Sequence, residues 1–150
     1  MGRRRQAREA ALQALYLAEA GSMSAQEAML SVKVGLEMPA DALAFAEELA
    51  YGADEQREEL DACIHKLAQN WALERMAAVD RNLLRLASFE LLTHEGTPAS
   101  VIIDEALEIA KIFSADDSAK FINGILDKIR SSKKKTKKKK TKKKAKKLSD

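Results

Sequence analysis

One cysteine, two histidines, an aspartate pair and an arginine cluster are the side chains of this 150-residue chain whose types and spacing could do chemistry. Cys63 and His65 stand two residues apart. On a helix, positions i and i+2 point away from each other, so no local thiolate–imidazole pair forms. Neither His65 nor His94 falls in a metal-ligand spacing, and no glycine-rich loop is present to cradle a phosphate. Asp116 and Asp117 could serve acid–base or metal chemistry. Acids at the start of a helix, however, satisfy its free N–H groups and offset its dipole, and that reading is the stronger one here. The residues therefore point away from an enzyme: no catalytic group, metal site or cofactor is expected.

The arginines are a different matter. Arg3, Arg4, Arg5 and Arg8 crowd the start of "RRRQAREAALQALY", a segment with helical spacing. A helix N-terminus carries partial positive charge and disfavours cations. Arg5 and Glu9 are placed for an i,i+4 pair, but such surface pairs contribute only about 0.3–0.5 kcal/mol and one carboxylate serves one arginine well. Guanidinium forks match phosphate geometry. The cluster reads as a polyanion-binding patch in preference to a solubility device.

Charge is unevenly distributed. Twelve lysines lie within 133–147, leaving 14 basic against 22 acidic side chains over residues 1–132, a net of −8. An acidic body thus carries a basic head and a basic tail. The run "KKKTKKKKTKKKAKK" has nothing to bury and repels itself, so 133–150 is expected to be disordered when free. It either adds non-specific affinity or acts as a solubilising extension. A single cysteine makes no internal disulfide, in keeping with a reducing compartment. No apolar run is long enough to span a bilayer, and the basic N-terminus lacks a signal-type apolar core, so a cytoplasmic location away from membranes is expected.

The elements that must position these groups are helical. Ala7, Ala11, Ala14, Leu15 and Ala18 share one face of a first helix over about 6–20, ended by Gly21. "SAQE" is a capping box opening a second helix that ends near Gly35. Pro39 and Asp41 open a long third helix with Phe45, Ala46, Leu49, Ala53, Leu60, Ile64 and Leu67 on its apolar stripe, closing near Asn70, with Gly52 allowing close packing. A short turn over 71–77 precedes a helix from about Asp80, with Gly96 as its terminator. Thr97 and Pro98 are placed as cap and first residue of the next. A last helix starts around "SADDS". The expected fold is all-α: about seven helices in two small packed bundles (about 1–70 and 71–132) meeting near Trp71, with the tail beyond.

Three segments, "RRRQAREAALQALY", "VDRNLLRLASFELL" and "TPASVIIDEALEIAKIFSADDSAKFINGILDKI", resemble the NusB family of bacterial antitermination factors. The resemblance covers residues 3–130, and "DDSAKFINGILDKI" is its most restrictive part. Over 21–70 it is mainly one of helical pattern. It implies a non-catalytic helical protein that binds boxA RNA of nascent ribosomal RNA transcripts together with NusE, a small-subunit ribosomal protein, in a complex with RNA polymerase. By motif, it implies RNA contacts for Arg3, Arg4, Arg5, Arg8, Phe113, Asp117 and Phe121, and NusE contacts for Tyr16 and Asp80. The residue types suit those roles, since single-stranded RNA is held by aromatic stacking, hydrogen bonds to bases and cations on phosphates. Phe113 and Phe121 also fit apolar helical stripes, Tyr16 a half-buried position, and Asp80 a helix cap. Ala99 and Ser100 stand where several family members carry an aromatic–basic pair, and Ser114 where glycine is common.

Two other readings stand beside this one. One is a targeting module like the NusB-like domain of some ribosomal RNA methyltransferases; the absence of a catalytic segment after 130 argues against it. The other is a helical protein–protein adaptor. A homodimer that masks the arginine head is left open.

Overall fold

Alanine, leucine, glutamate and lysine at helical spacing leave this chain little choice of local structure. The structure, a computed structural model, describes residues 2–68 and 72–148, with side chains described up to 133. Seven α-helices account for most of it: α1 (Arg3–Gly21), α2 (Ala25–Val34), α3 (Ala40–Glu55), α4 (Arg57–Leu67), α5 (Ala78–Thr93), α6 (Ala99–Phe113) and α7 (Ser118–Leu148), with a 3-10 turn at Leu73–Arg75. No strand occurs among the described residues, and the all-α expectation holds. The junction near Trp71 and the helix end at Asn70 lie outside the described residues, and of the tail beyond Lys133 only the backbone is described, as far as Leu148.

α1 packs on α2 and α3 and also reaches α5; α5 packs in turn on α3, α4, α6 and α7. Five of the eight buried residues of α1 are alanines (Ala7, Ala10, Ala11, Ala14, Ala18), which lets its neighbours approach closely. The same logic explains Gly52. A Cβ there would collide with the Phe89 ring of α5, so glycine is needed for contact rather than for a turn. Ser24 caps α2 as expected: its hydroxyl accepts from the Glu27 backbone N–H at 3.1 Å.

Several boundaries differ from the sequence expectation. The single long helix over 39–70 is two helices, broken at Gln56. The break gives Glu58 and Glu59 a new N-terminal turn, which favours acids, and lets Leu60 and Ile64 be buried while α4 packs on α5 and α7. α1 ends not with a left-handed glycine but with Ser22 at φ 51°; the Met23 N–H bonds Ala18 O at 2.9 Å, closing a Schellman turn. Pro98 precedes α6 rather than opening it, and α5 is capped by Ala77 without a side-chain bond, so Asp80 is not its cap. Asp116 and Asp117 lie before α7 rather than in its first turn.

An ion network ties α1, α4 and α5 together. Arg85 donates to both oxygens of Asp61 (2.6 and 2.8 Å) and to Glu19 (2.6 Å), while Arg81 donates to Glu19 and to the carbonyls of Leu73 and Met76 (both 2.9 Å). The Arg81 hydrogen bonds pull the Glu19 carboxyl down from 4.5 to about 2; partial burial opposes this and Arg85 adds to it. Because the folded value is depressed, the linked stability is complete above pH 4.5 and is lost as pH falls toward 2. With Glu19 one quarter exposed, screening leaves about 1–2 kcal/mol at stake. Urea unfolding between pH 5 and 3 should therefore show a steeper loss in the native chain than in Glu19→Gln, whose profile lacks that contribution. Parallel profiles would show that the network does not carry acid sensitivity.

Candidate nucleic-acid interface

α1 begins at Arg3 itself, with no acid in its first turn and no side-chain cap from Gly2. The cations are nonetheless compensated, by groups from distant elements. Arg3 lies 3.5 Å from Asp41 at the start of α3, with both side chains about two-thirds exposed. The Arg4 guanidinium sits over the Phe45 ring, 4.1 Å from its centroid. Arg5 forks onto Glu105 of α6 at 2.6 and 3.0 Å, which raises the arginine and holds the Glu105 carboxyl below its ordinary value against partial burial. Arg8 forks onto Glu90 of α5 at 2.8 and 2.6 Å, and these side chains are only 5% and 2% exposed.

Two expectations are corrected here. The local Arg5–Glu9 pair does not form, because Glu105 offers Arg5 a bidentate partner. Arg8 is not an exposed RNA contact: it is buried on the packed face of α1 with its fork filled by Glu90. The puzzle of four cations at an unfavourable helix end is thus answered largely inside the molecule. Arg3 and Arg4 keep exposed side chains, and Arg5 is half-buried. Arg3, Arg4, Asp41, Phe45, Glu48 and His94 line a cleft of about 530 Å³.

The second part of the surface is the corner between α6 and α7. Phe113, the last residue of α6, is half exposed, and Asp117 is exposed in the following turn. Phe121 is partly buried and packs against the core. Asp80 braces this corner from α5, accepting from Ser114 Oγ at 2.5 Å and Ser118 Oγ at 2.8 Å. Ser114, the departure from the usual glycine, therefore has a structural use. Ala99 and Ser100 open α6 at its far end.

Tyr16 and Phe113, assigned by the resemblance to different partners, lie together. With Glu9, Leu12, Leu17 and Val79 they line a small, mostly apolar pocket of about 270 Å³. One carboxylate oxygen of Glu9 is buried there without a hydrogen-bond partner among the described residues. Arg5 bonds Glu105 in mid-α6 while Leu12 and Tyr16 line a pocket with Phe113 at its end, so one α1–α6 face runs from Arg5 to the corner, with Arg3 and Arg4 turned toward α3 at the start of the same helix. The eight helical steps from Glu105 to Phe113 span about 12 Å. Sequence reasoning does not give the partners of the head: it leaves Glu90 and Glu105 unmarked, reads Phe45 only as core, and reads Glu9 as the partner of Arg5.

A helical scaffold with a cationic edge, an aromatic corner and an adjoining apolar pocket defines a macromolecule-binding protein. Its architecture matches that of T. maritima NusB at 36% identity and a TM-score of 0.79, over 85% of this chain and 90% of that one. A crystal structure of antitermination factors NusB and NusE in complex with dsRNA also matches, at 26% identity and a TM-score of 0.79, over 87% and 97% of the two chains. The transcription antitermination protein NusB of Heliobacterium modesticaldum is 48% identical over 126 residues, which are 84% of this chain and 61% of that protein's length. The profile of the NusB family matches residues 5–131, and the chain belongs to that family. The family is one of non-enzymatic transcription antitermination factors, in agreement with the reading of the residues. No described helix is long and apolar enough to cross a membrane.

Proposed function

We propose that this protein is a cytoplasmic antitermination factor that binds boxA RNA of nascent ribosomal RNA transcripts jointly with NusE, within an RNA polymerase complex. The observation that supports it most directly is the α1–α6 face from Arg5 to the corner, bordered at the start of α1 by the exposed Arg3 and Arg4. Arg3 and Arg4, with Arg5 beside them, are placed to neutralise phosphates. Phe113 offers a stacking surface, Asp117 accepts from base amino groups, and Phe121 supports the corner with its partly buried ring. Tyr16 and the pocket beside it receive NusE. Asp80 acts on the same surface by holding the corner, since both its oxygens already have partners. Arg8 has no direct part in this account. A bare protein adaptor would not need exposed arginines next to an exposed aromatic.

Gel shifts with boxA and scrambled RNA, with and without NusE and at two salt concentrations, test the reading. The expected result is preference for boxA, tighter binding with NusE, and a log–log salt slope of about −0.7 per phosphate neutralised. Equal binding of both RNAs in the presence of NusE would overturn it.

A further inference from the structure

The lysine run beyond Ser132 lies past the end of the family match at residue 131, so nothing in the proposed function accounts for it. The structure shows where it leaves the body. Lys133, its first lysine, donates from Nζ to the carbonyl oxygen of Leu91 at 2.5 Å, in the last turn of α5. Carbonyls there lack helical partners, and the negative end of the helix dipole favours a cation. One turn further on is His94, the C-cap of α5, whose ring packs edge-on against Phe45 at 5.9 Å. Phe45 carries the Arg4 guanidinium, and His94 lines the same cleft as Arg3 and Arg4. The first lysine of the run is therefore held at the end of α5 whose C-cap, His94, shares a cleft with the exposed Arg3 and Arg4.

We propose that residues 133–147 form a second, sequence-independent RNA-gripping element that continues the phosphate path of Arg3 and Arg4 onto nucleotides flanking the specific site. Its ligand is the ribose-phosphate backbone of single-stranded RNA. A lysine ammonium is a point charge on a flexible stem, suited to phosphates without regard to base. The corner then selects sequence, and the head and tail contribute affinity, the tail also lengthening the footprint. This rests on the RNA-binding reading above but is measured separately from it.

The test uses the full chain with Lys137, Lys138, Lys139 and Lys140 each changed to Gln, which leaves the Lys133 anchor in place. Both proteins are titrated with boxA RNA lacking flanks, boxA RNA with flanks on both sides, and scrambled RNA of the longer length. For the two long RNAs, neutralisation should make the salt slope shallower by about 0.7 for each phosphate no longer neutralised, up to roughly 3 in all, and weaken binding about tenfold or more at moderate salt. Binding of the short RNA should change less than about twofold, because its phosphates end at the head. Equal slopes for the two proteins on long RNA would overturn the proposal. So would tighter binding by the neutralised chain, since that would mean the lysines rest on the acidic body and compete with RNA. Failure of the proposed function shows elsewhere, as lack of boxA preference in the unaltered chain.

Discussion

Arg8→Ala is expected to lower the unfolding free energy by about 3–5 kcal/mol, although Arg8 belongs to an arginine cluster that reads as a ligand-binding head. Its two hydrogen bonds to Glu90, at 2.8 and 2.6 Å, join α1 to α5 across the core. Removing the guanidinium strands a carboxylate that is 2% exposed, and a buried charge without its partner is among the more destabilising changes a core can suffer. At about 2–4 °C per kcal/mol, Tm should fall by roughly 6–20 °C. The double change Arg8→Met with Glu90→Leu should recover most of that loss, because replacing a buried ion pair by apolar groups of similar volume is often neutral or better. Arg3→Ala provides the contrast. Its partner Asp41 is equally exposed, so stability should move by less than about 0.5 kcal/mol while RNA affinity falls. Thermal melts and gel shifts on all three proteins decide the matter. If Arg8→Ala melts like the native chain yet loses RNA, Arg8 is a ligand contact and not a core ion pair.

The contrast between Arg3 and Arg8 also shows where sequence reasoning stops. The helical character of the chain was legible, though not every boundary, because alanine-rich stripes such as Ala7–Ala11–Ala14–Ala18 have one periodicity and all of them are buried. The role of Gly52 was legible for the same reason. The Gln56 break was not, since Leu60 and Ile64 continue the apolar stripe closely enough to pass for one helix, and only packing on α5 and α7 reveals the change of direction. Within the candidate site, the residue types could be read but their partners could not. Glu90 did carry a signal: in "LASFELL" a lone acid falls seven residues after Leu83, on the inward face, and a buried acid requires a cation. That the cation is Arg8, 82 positions away, follows only from the fold. Glu105 likewise captures Arg5 from 100 positions away and displaces the local pair with Glu9. A cationic cluster at a helix start is thus an ambiguous sign, because the charges can be answered by long-range carboxylates as well as by a ligand.

Phe113 is where the surface reading is most exposed to refutation. It is a large apolar side chain left 50% exposed at the end of α6, in a corner braced by two hydrogen bonds to Asp80. A preformed corner holds the ring in place before RNA arrives, so little ordering cost opposes stacking. Base–aromatic stacking is worth about 1–3 kcal/mol per base, so Phe113→Ala should weaken boxA RNA roughly 5–150-fold, with unfolding free energy changed far less than by Arg8→Ala. Asp80→Ala never touches RNA in this account. It should nonetheless reduce the preference for boxA over scrambled RNA, because it frees Ser114 and Ser118 and lets the corner move. Tyr16→Ala separates the two partners that share the pocket: NusE binding should fall while RNA binding by the isolated protein stays within about twofold, since no stacked base is lost. The opposite pattern, with Phe113→Ala losing NusE but keeping RNA, would show that the aromatic corner belongs to the protein interface. The phosphate path would then have to leave the α1–α6 face before reaching it.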